Sequence, residues 1–179
     1  MFMGSKVRVL FVCRGNICRS PLAMGVFRSV VAAAGLAHRF EIDSAGTSSY
    51  HAGLPPDART VAVALRRGLT LAHAARQVQA EDLHSFDYVV VMDGSNRDGV
   101  ERLVQSGPGS ARSARSARSA RSARSARILM LRAFDPAADG VPDVPDPYFG
   151  GPADFEAVHD MVERACSGLL EHIRREHGL

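Results

Sequence analysis

The chain has 179 residues and a mass of 19.2 kDa, with 46% hydrophobic and 23% charged residues, the mix of an ordinary globular protein at a length suited to one domain. No apolar run approaches the ~18 residues of a membrane span, the N-terminus lacks a signal-peptide shape, and three cysteines, Cys13, Cys18 and Cys166, make no secreted disulfide framework; the expectation is a soluble cytoplasmic protein. The net charge of +3 misleads, because setting aside the six arginines of one tract turns it into −3, so a basic isoelectric point is no sign of a specific nucleic-acid-binding fold.

In chain order, Lys6 to Val12 is a short β-branched run that reads as a buried strand ending at a Cys-Arg-Gly-Asn turn. Ser20-Pro21 then opens a helix, with Ser20 predicted as its N-cap and Pro21 at its first position. Its apolar stripe is Leu22, Val26, Phe27, Val30 and Ala34, and Gly35 ends it. Phe40 to Ser44 is a second strand. Pro55-Pro56-Asp57 starts a second helix, with a predicted stripe of Ala58, Val61, Ala62 and Leu65 closed by Gly68. Tyr88 to Met92 and Ile128 to Leu131 are third and fourth strands. The last helix begins near Pro152 and carries a core-facing stripe of Phe155, Val158, Val162, Cys166, Leu169 and Ile173.

Strands alternating with helices predict an α/β fold, a four-stranded parallel sheet with helices on both faces in a flavodoxin-like arrangement. Ligands of such sheets sit at the carboxyl ends of the strands, and the first strand ends at Cys13. The domain is expected to span residues 1–179, interrupted by six Ser-Ala-Arg triplets at 110–127. That tract offers no apolar face and six repelling charges, so it is expected to be a disordered loop. It is either a tolerated loop expansion or an arm for acidic partners.

The chemistry is concentrated in Cys13-Arg14-Gly15-Asn16-Ile17-Cys18-Arg19-Ser20. Loop amides followed by a helix N-terminus form a cradle for a tetrahedral oxyanion, and the same field favours a thiolate at the loop's start. Arg19 can close on the anion with a planar fork. Gly15 and Asn16 tolerate left-handed backbone. A nucleophile, an anion nest and a clamp within eight residues describe phosphoryl transfer through a cysteinyl-phosphate.

The segment Val12 to Pro21, V-C-R-G-N-I-C-R-S-P, resembles the signature loop of the low-molecular-weight protein tyrosine phosphatases. The likeness continues through Asp43-Ser44-Ala45-Gly46-Thr47 with His51, Gly53, Pro56 and Asp57. It extends to His73-Ala74-Ala75-Arg76-Gln77, Met92-Asp93 with Asn96, and Asp146-Pro147-Tyr148. The resemblance implies that Cys13 attacks phosphorus, Arg19 binds the equatorial oxygens and Ser20 stabilises the thiolate. It also implies that Asn16, Ser44 and His73 hold the loop's shape and that Asp146 is the general acid and later the base. Tyr50 and Tyr148 match aromatic walls of the substrate cleft, and the implied substrate is a phosphotyrosine-containing protein. No metal and no cofactor are implied.

Plainer readings stand beside these: Asp146 as a turn residue, His73 as a structural histidine, Tyr50 as a stray loop aromatic, Asp143 as solvated or structural, and Cys166 as core. Cys18 matches the partner with which family members form a reversible disulfide; it reads equally as a packed thiol. The chain departs from the family's habits at Arg14, Met24 and Phe149. Arsenate reductases share the loop but need two further redox cysteines, and only Cys166 lies beyond it. Phosphoarginine phosphatases tend to carry threonine where Ile17 stands, so the apolar side chain favours a phenolic ester. Outside catalysis, the alternative is an electrostatic binding module built on the arginine tract.

Overall fold

A computed structural model describes residues 5–106, 125–140 and 142–179. Strand β1 (Val7–Cys13) is the hub: it pairs in parallel with β2 (Phe40–Gly46) on one side and β3 (Tyr88–Val91) on the other. Strand β4 (Arg127–Met130) adds in parallel to β3, giving the order β2-β1-β3-β4. An interior strand covered on both faces must be apolar on both sides, and in β1 only Arg8 is not fully buried. Val7, Val9, Phe11 and Cys13 join one core with helices α1 (Arg19–Ala33) and α5 (Pro152–His177). Leu10 and Val12 turn to a second core with Val100 of α4 (Gly94–Ser106) and Leu83 of the short helix α3 (Asp82–Ser85). That alternation is the strand's two-residue period. The predicted fold class holds, and among the described residues no helix is long and apolar enough to cross a membrane.

The predicted stripe of α5 is buried at every position, with His159, Ala165 and Leu170 added to it. The helix starts at Pro152, where a missing N–H costs nothing, and the Gly151 N–H is held by Asp154 Oδ2 at 2.7 Å. The stripe of α1 stops short of its predicted end, for Ala34 lies outside the helix and exposed.

Three sequence expectations are corrected. Ser20 is not an N-cap: α1 begins at Arg19, and Ser20 lies inside its first turn because its hydroxyl is engaged beneath the loop. Helix α2 (Ala58–Arg66) buries Thr60, Val63 and Ala64 rather than Ala58, Val61, Ala62 and Leu65, and Leu65 is 56% exposed. The true face was disguised by polar residues at Thr60 and Arg67; Arg67, just past the helix, bonds Glu156, Asp160 and Glu163 of α5. Finally, the tract expected to be a disordered loop over 110–127 does not extend to its last triplet. Arg127 is the first residue of β4, pairs with Glu176 at 2.6 Å and stacks over Tyr88. Residues 110–124 of that expectation lie outside the described residues.

Candidate active site

The loop leaves β1 at Cys13 and enters α1 at Arg19, at the carboxyl edge of the central strand. Its carbonyls are held from outside: Cys13 O by Thr47 N, Arg14 O by Ser48 N and Ile17 O by Asp57 N, at 2.8–3.0 Å. With the carbonyls held outward, the concave side is left to donors, and the Asn16 N–H reaches Cys13 Sγ at 3.2 Å. Asn16 has φ +56°, alone in this among the described non-glycine residues, and asparagine is a residue type that tolerates this backbone. Gly46 ends β2 against the loop, where a Cβ would come within 2.6 Å of Arg14 O, so no side chain fits there.

The Asn16 side chain organises what lies beneath. Its Nδ2 donates to Ser20 Oγ at 2.8 Å and to Ser44 Oγ at 3.0 Å. Its Oδ1 accepts from Arg76 N at 2.9 Å and meets His73 Nε2 at 2.8 Å. An amide oxygen can only accept, so the network assigns the proton of His73 to Nε2. Burial lowers the pKa of His73, against the pull of Asp43, which suits this neutral tautomer. Ser20 Oγ accepts from Asn16, so its own proton is free for Cys13 Sγ at 3.1 Å or Ala45 O at 3.2 Å. The structure thus brings Cys13, Asn16, Ser20, Ser44 and His73 into one connected cluster. Asn16, Ser20 and Ser44 are fully buried, and each has its partners, as buried polar groups require.

Arg19 is 3% exposed and reaches across to the far loops. Its Nη1 donates to Asp93 Oδ2 at 2.6 Å and Val144 O at 3.1 Å, and its Nη2 donates to Asp146 Oδ2 at 2.9 Å. Desolvation works against this buried cation, but Cys13, Asp146 and Asp93 outweigh it and hold its pKa above the ordinary arginine value. Asp146 is half exposed on its side chain, and its Oδ1 accepts the Tyr148 N–H at 3.2 Å. Asp143 is structural: its carboxylate accepts the Gly94 N–H at 3.1 Å at the start of α4.

Three aromatic rings gather beside the loop. His51 packs beside Gly15, and its ring lies 4.9 Å from that of Tyr50 and 6.2 Å from that of Tyr148. Tyr148 is 37% exposed and Tyr50 84%, so Tyr148 is the more closely packed of the two. Arg14 is exposed at the loop. Ile17 and Cys18 point the other way, into a small apolar cluster with Val63, Ala75 and Phe155. Burial pushes the Cys18 thiol up to about 12, as befits a packed thiol.

Sequence reasoning gave Asp93, Arg76 and His51 a place in the likeness but no role, and it passed over Arg59. The first three take their meaning from partners distant in the chain, which local pattern does not announce. Away from the loop, His159, Asp160 and Glu163 of α5 bring three potential metal-ligand atoms within 4.8 Å. Arg67 already lies 2.6 Å from Asp160 and 3.2 Å from Glu163 there, supplying the cation such a group would take.

A thiol with donors at the end of a central parallel strand, an arginine closing its loop and a carboxylate opposite define the phosphatase class built on a Cys-x5-Arg loop. The family model described as low molecular weight phosphotyrosine protein phosphatase matches residues 8–107 and 109–178, and the chain belongs to that family. It is 45% identical over 170 residues to a low molecular weight protein-tyrosine-phosphatase of Streptomyces coelicolor, covering 94% of each chain. Among solved structures, it resembles a protein tyrosine phosphatase from Entamoeba histolytica with Hepes in the active site. That match has a TM-score of 0.78 and 33% identity, and covers 97% of this chain and 99% of the other. The Drosophila arginine phosphatase superposes with a TM-score of 0.80 at 30% identity, over 93% and 97% of the two chains.

Proposed function

We propose that this chain hydrolyses phosphotyrosine monoesters of proteins, in the cytoplasm, through a phosphocysteine. The observation that carries the reading is the position of Cys13 Sγ. It receives the Asn16 N–H and faces the Ser20 hydroxyl, while Arg19 links its loop to Asp146.

In the first step the Cys13 thiolate forms a bond to phosphorus and the bond from phosphorus to the aryl oxygen breaks. The leaving oxygen keeps the electron pair and takes the proton of Asp146. Arg19 turns its fork onto the equatorial oxygens, where charge gathers in the transition state. In the second step Asp146 takes a proton from water as the water oxygen attacks phosphorus. The phosphorus–sulfur bond then breaks with its electrons returning to Cys13, and inorganic phosphate leaves. Asn16, Ser44, His73 and Arg76 fix the loop so that its donors need no rearrangement in either step. Tyr148 supplies an aromatic surface suited to a phenolic ester. Cys18 would close a disulfide with Cys13, once peroxide had oxidised the nucleophile, by turning its thiol out of the apolar cluster.

The test is turnover of a phosphotyrosine peptide with a chelator present, for wild type, Cys13→Ser and Asp146→Asn, with a phosphoarginine peptide in parallel. Activity that survives the chelator, vanishes in Cys13→Ser and drops about 10²-fold or more in Asp146→Asn supports the reading. Turnover of phosphoarginine alone would overturn the substrate class while leaving the nucleophile in place. The fold of the fly arginine phosphatase makes that the comparison to run.

A further inference from the structure

Arg59 stands outside the signature loop and outside the acid's own loop, yet it bonds the second directly and reaches the first through Asp57. Its N–H and Nε donate to Asp57 Oδ1 at 2.8 and 3.0 Å, and its Nη2 to Asp57 Oδ2 at 2.8 Å. The Asp57 N–H in turn holds Ile17 O of the phosphate loop at 2.8 Å. On its other side the Arg59 guanidinium donates from Nη1 to the carbonyl of Tyr148 at 3.0 Å. Its central carbon lies 5.5 Å from the Tyr148 ring centroid and 4.6 Å from that of Phe155. A planar cation that makes three directed hydrogen bonds from its guanidinium while lying over two aromatic rings is a task lysine cannot perform.

We infer that Arg59 is the positioning residue of the general acid: it holds the Tyr148 peptide so that Asp146 stays over the nucleophile after substrate has drawn Arg19 away. The inference rests on the proposed mechanism. In the structure Asp146 has two holders, Arg19 Nη2 at Oδ2 and the Tyr148 N–H at Oδ1. When Arg19 closes on the phosphoryl oxygens, the first holder is spent on the substrate. The Tyr148 N–H remains, and the segment that carries it is fixed from the far side by Arg59. The ion pair with Asp57 then links the acid's loop to the nucleophile's loop, so the distance between the two reacting groups is set by Arg59 and Asp57 rather than by the substrate.

The acid matters most when the leaving group is poor, so the readout is a leaving-group comparison. The quantity is kcat/KM, which reports the step that breaks the phosphorus–oxygen bond. The substrates are phenyl phosphate, a poor leaving group, and p-nitrophenyl phosphate, a good one. The proteins are wild type, Arg59→Gln, Arg59→Lys and Asp146→Asn. The expected result is that Arg59→Gln loses about 10-fold or more on phenyl phosphate and less than about 3-fold on p-nitrophenyl phosphate. Asp146→Asn shows the same selectivity more strongly. Arg59→Lys keeps the charge without the planar fork and falls between wild type and Arg59→Gln; it carries the same comparison should Arg59→Gln melt early. Equal losses on both substrates, or no loss on either, would overturn the assignment, because a role in binding or folding is blind to the leaving group. If Asp146→Asn itself shows no selectivity, the acid assignment fails first and the role of Arg59 falls with it.

Discussion

Cys13 and Cys166 are both buried, 2% and 0% exposed, and both belong to the core between the sheet and helices α1 and α5. What surrounds each sulfur is different. Cys13 meets a backbone N–H and a serine hydroxyl at 3.1–3.2 Å. Cys166 sits in an apolar stripe, its Sγ 3.7 Å from Ala23 O, and burial pushes its pKa far up. Two histidines, His73 half-buried and His159 fully buried, repeat the contrast. His73 is tied to Asn16 and Ser44, whereas both ring nitrogens of His159 lack a hydrogen-bond partner among the described residues. Burial alone gives packing; burial with converging donors gives a site.

The largest test of this contrast is at the cysteines. Cys13→Ser should abolish turnover, by about 10⁴-fold or more, with little change in the urea midpoint. Cys166→Ala should leave kcat/KM within about 2-fold and cost about 1–2 kcal/mol of unfolding free energy for the space it leaves. A fall in turnover for Cys166→Ala without a fall in stability would break the comparison.

A smaller effect separates the two duties of Asn16. Asn16→Ala and Asn16→Gly both remove the side chain that joins Ser20, Ser44, His73 and Arg76, so both should lose about 10²-fold in turnover. Only alanine also meets the left-handed backbone, which should make Asn16→Ala less stable than Asn16→Gly by about 1 kcal/mol. Equal stabilities by urea unfolding would remove backbone conformation from the account.

The smallest effect lies at His159. Its burial lowers its pKa in the folded protein, chiefly by desolvation, so the unfolded chain takes up the proton first. Its contribution to stability is therefore whole above about pH 6.5 and is lost as pH falls from there toward the folded value. His159→Leu should raise stability at neutral pH by about 1 kcal/mol by removing unpaired ring nitrogens. It should also remove part of the decline between neutral and acid pH, leaving the share that His73 contributes in the same direction. A decline as steep as wild type's in unfolding experiments across that range would assign it to other groups.

Much of this was legible in the sequence, and the reason differs by residue. The sheet could be read because its central strands β1 and β3 are nearly continuous apolar runs, and α5 because its stripe keeps one period for six residues from Phe155 to Ile173. The loop could be read because its chemistry is local: Cys13, Asn16, Arg19 and Ser20 lie within eight positions. Asp93 as a partner of Arg19 was not legible, since the two are 74 residues apart and meet only when β1 and β3 pair. Helix α2 misled because alanine and valine occupy both of its faces, and its buried side, Thr60, Val63 and Ala64, carries a threonine and is followed by Arg67, which reaches three acids on α5. Ser20 misled for the opposite reason: it is an apt N-cap by type, but its hydroxyl has stronger claims beneath the loop.

The anchoring of Arg127 has a consequence for how such a gene can change. The last Ser-Ala-Arg unit, Ser125 to Arg127, supplies the opening residue of β4, and its arginine meets Glu176 and Tyr88. Every unit before it is identical in sequence. Replication slippage that adds or removes whole units therefore still delivers a serine, an alanine and an arginine directly ahead of Ile128. The edge strand keeps its register and its tie to α5 whatever the copy number, so this position in the fold is one where a repeat array can grow or shrink without rewriting the sheet it enters.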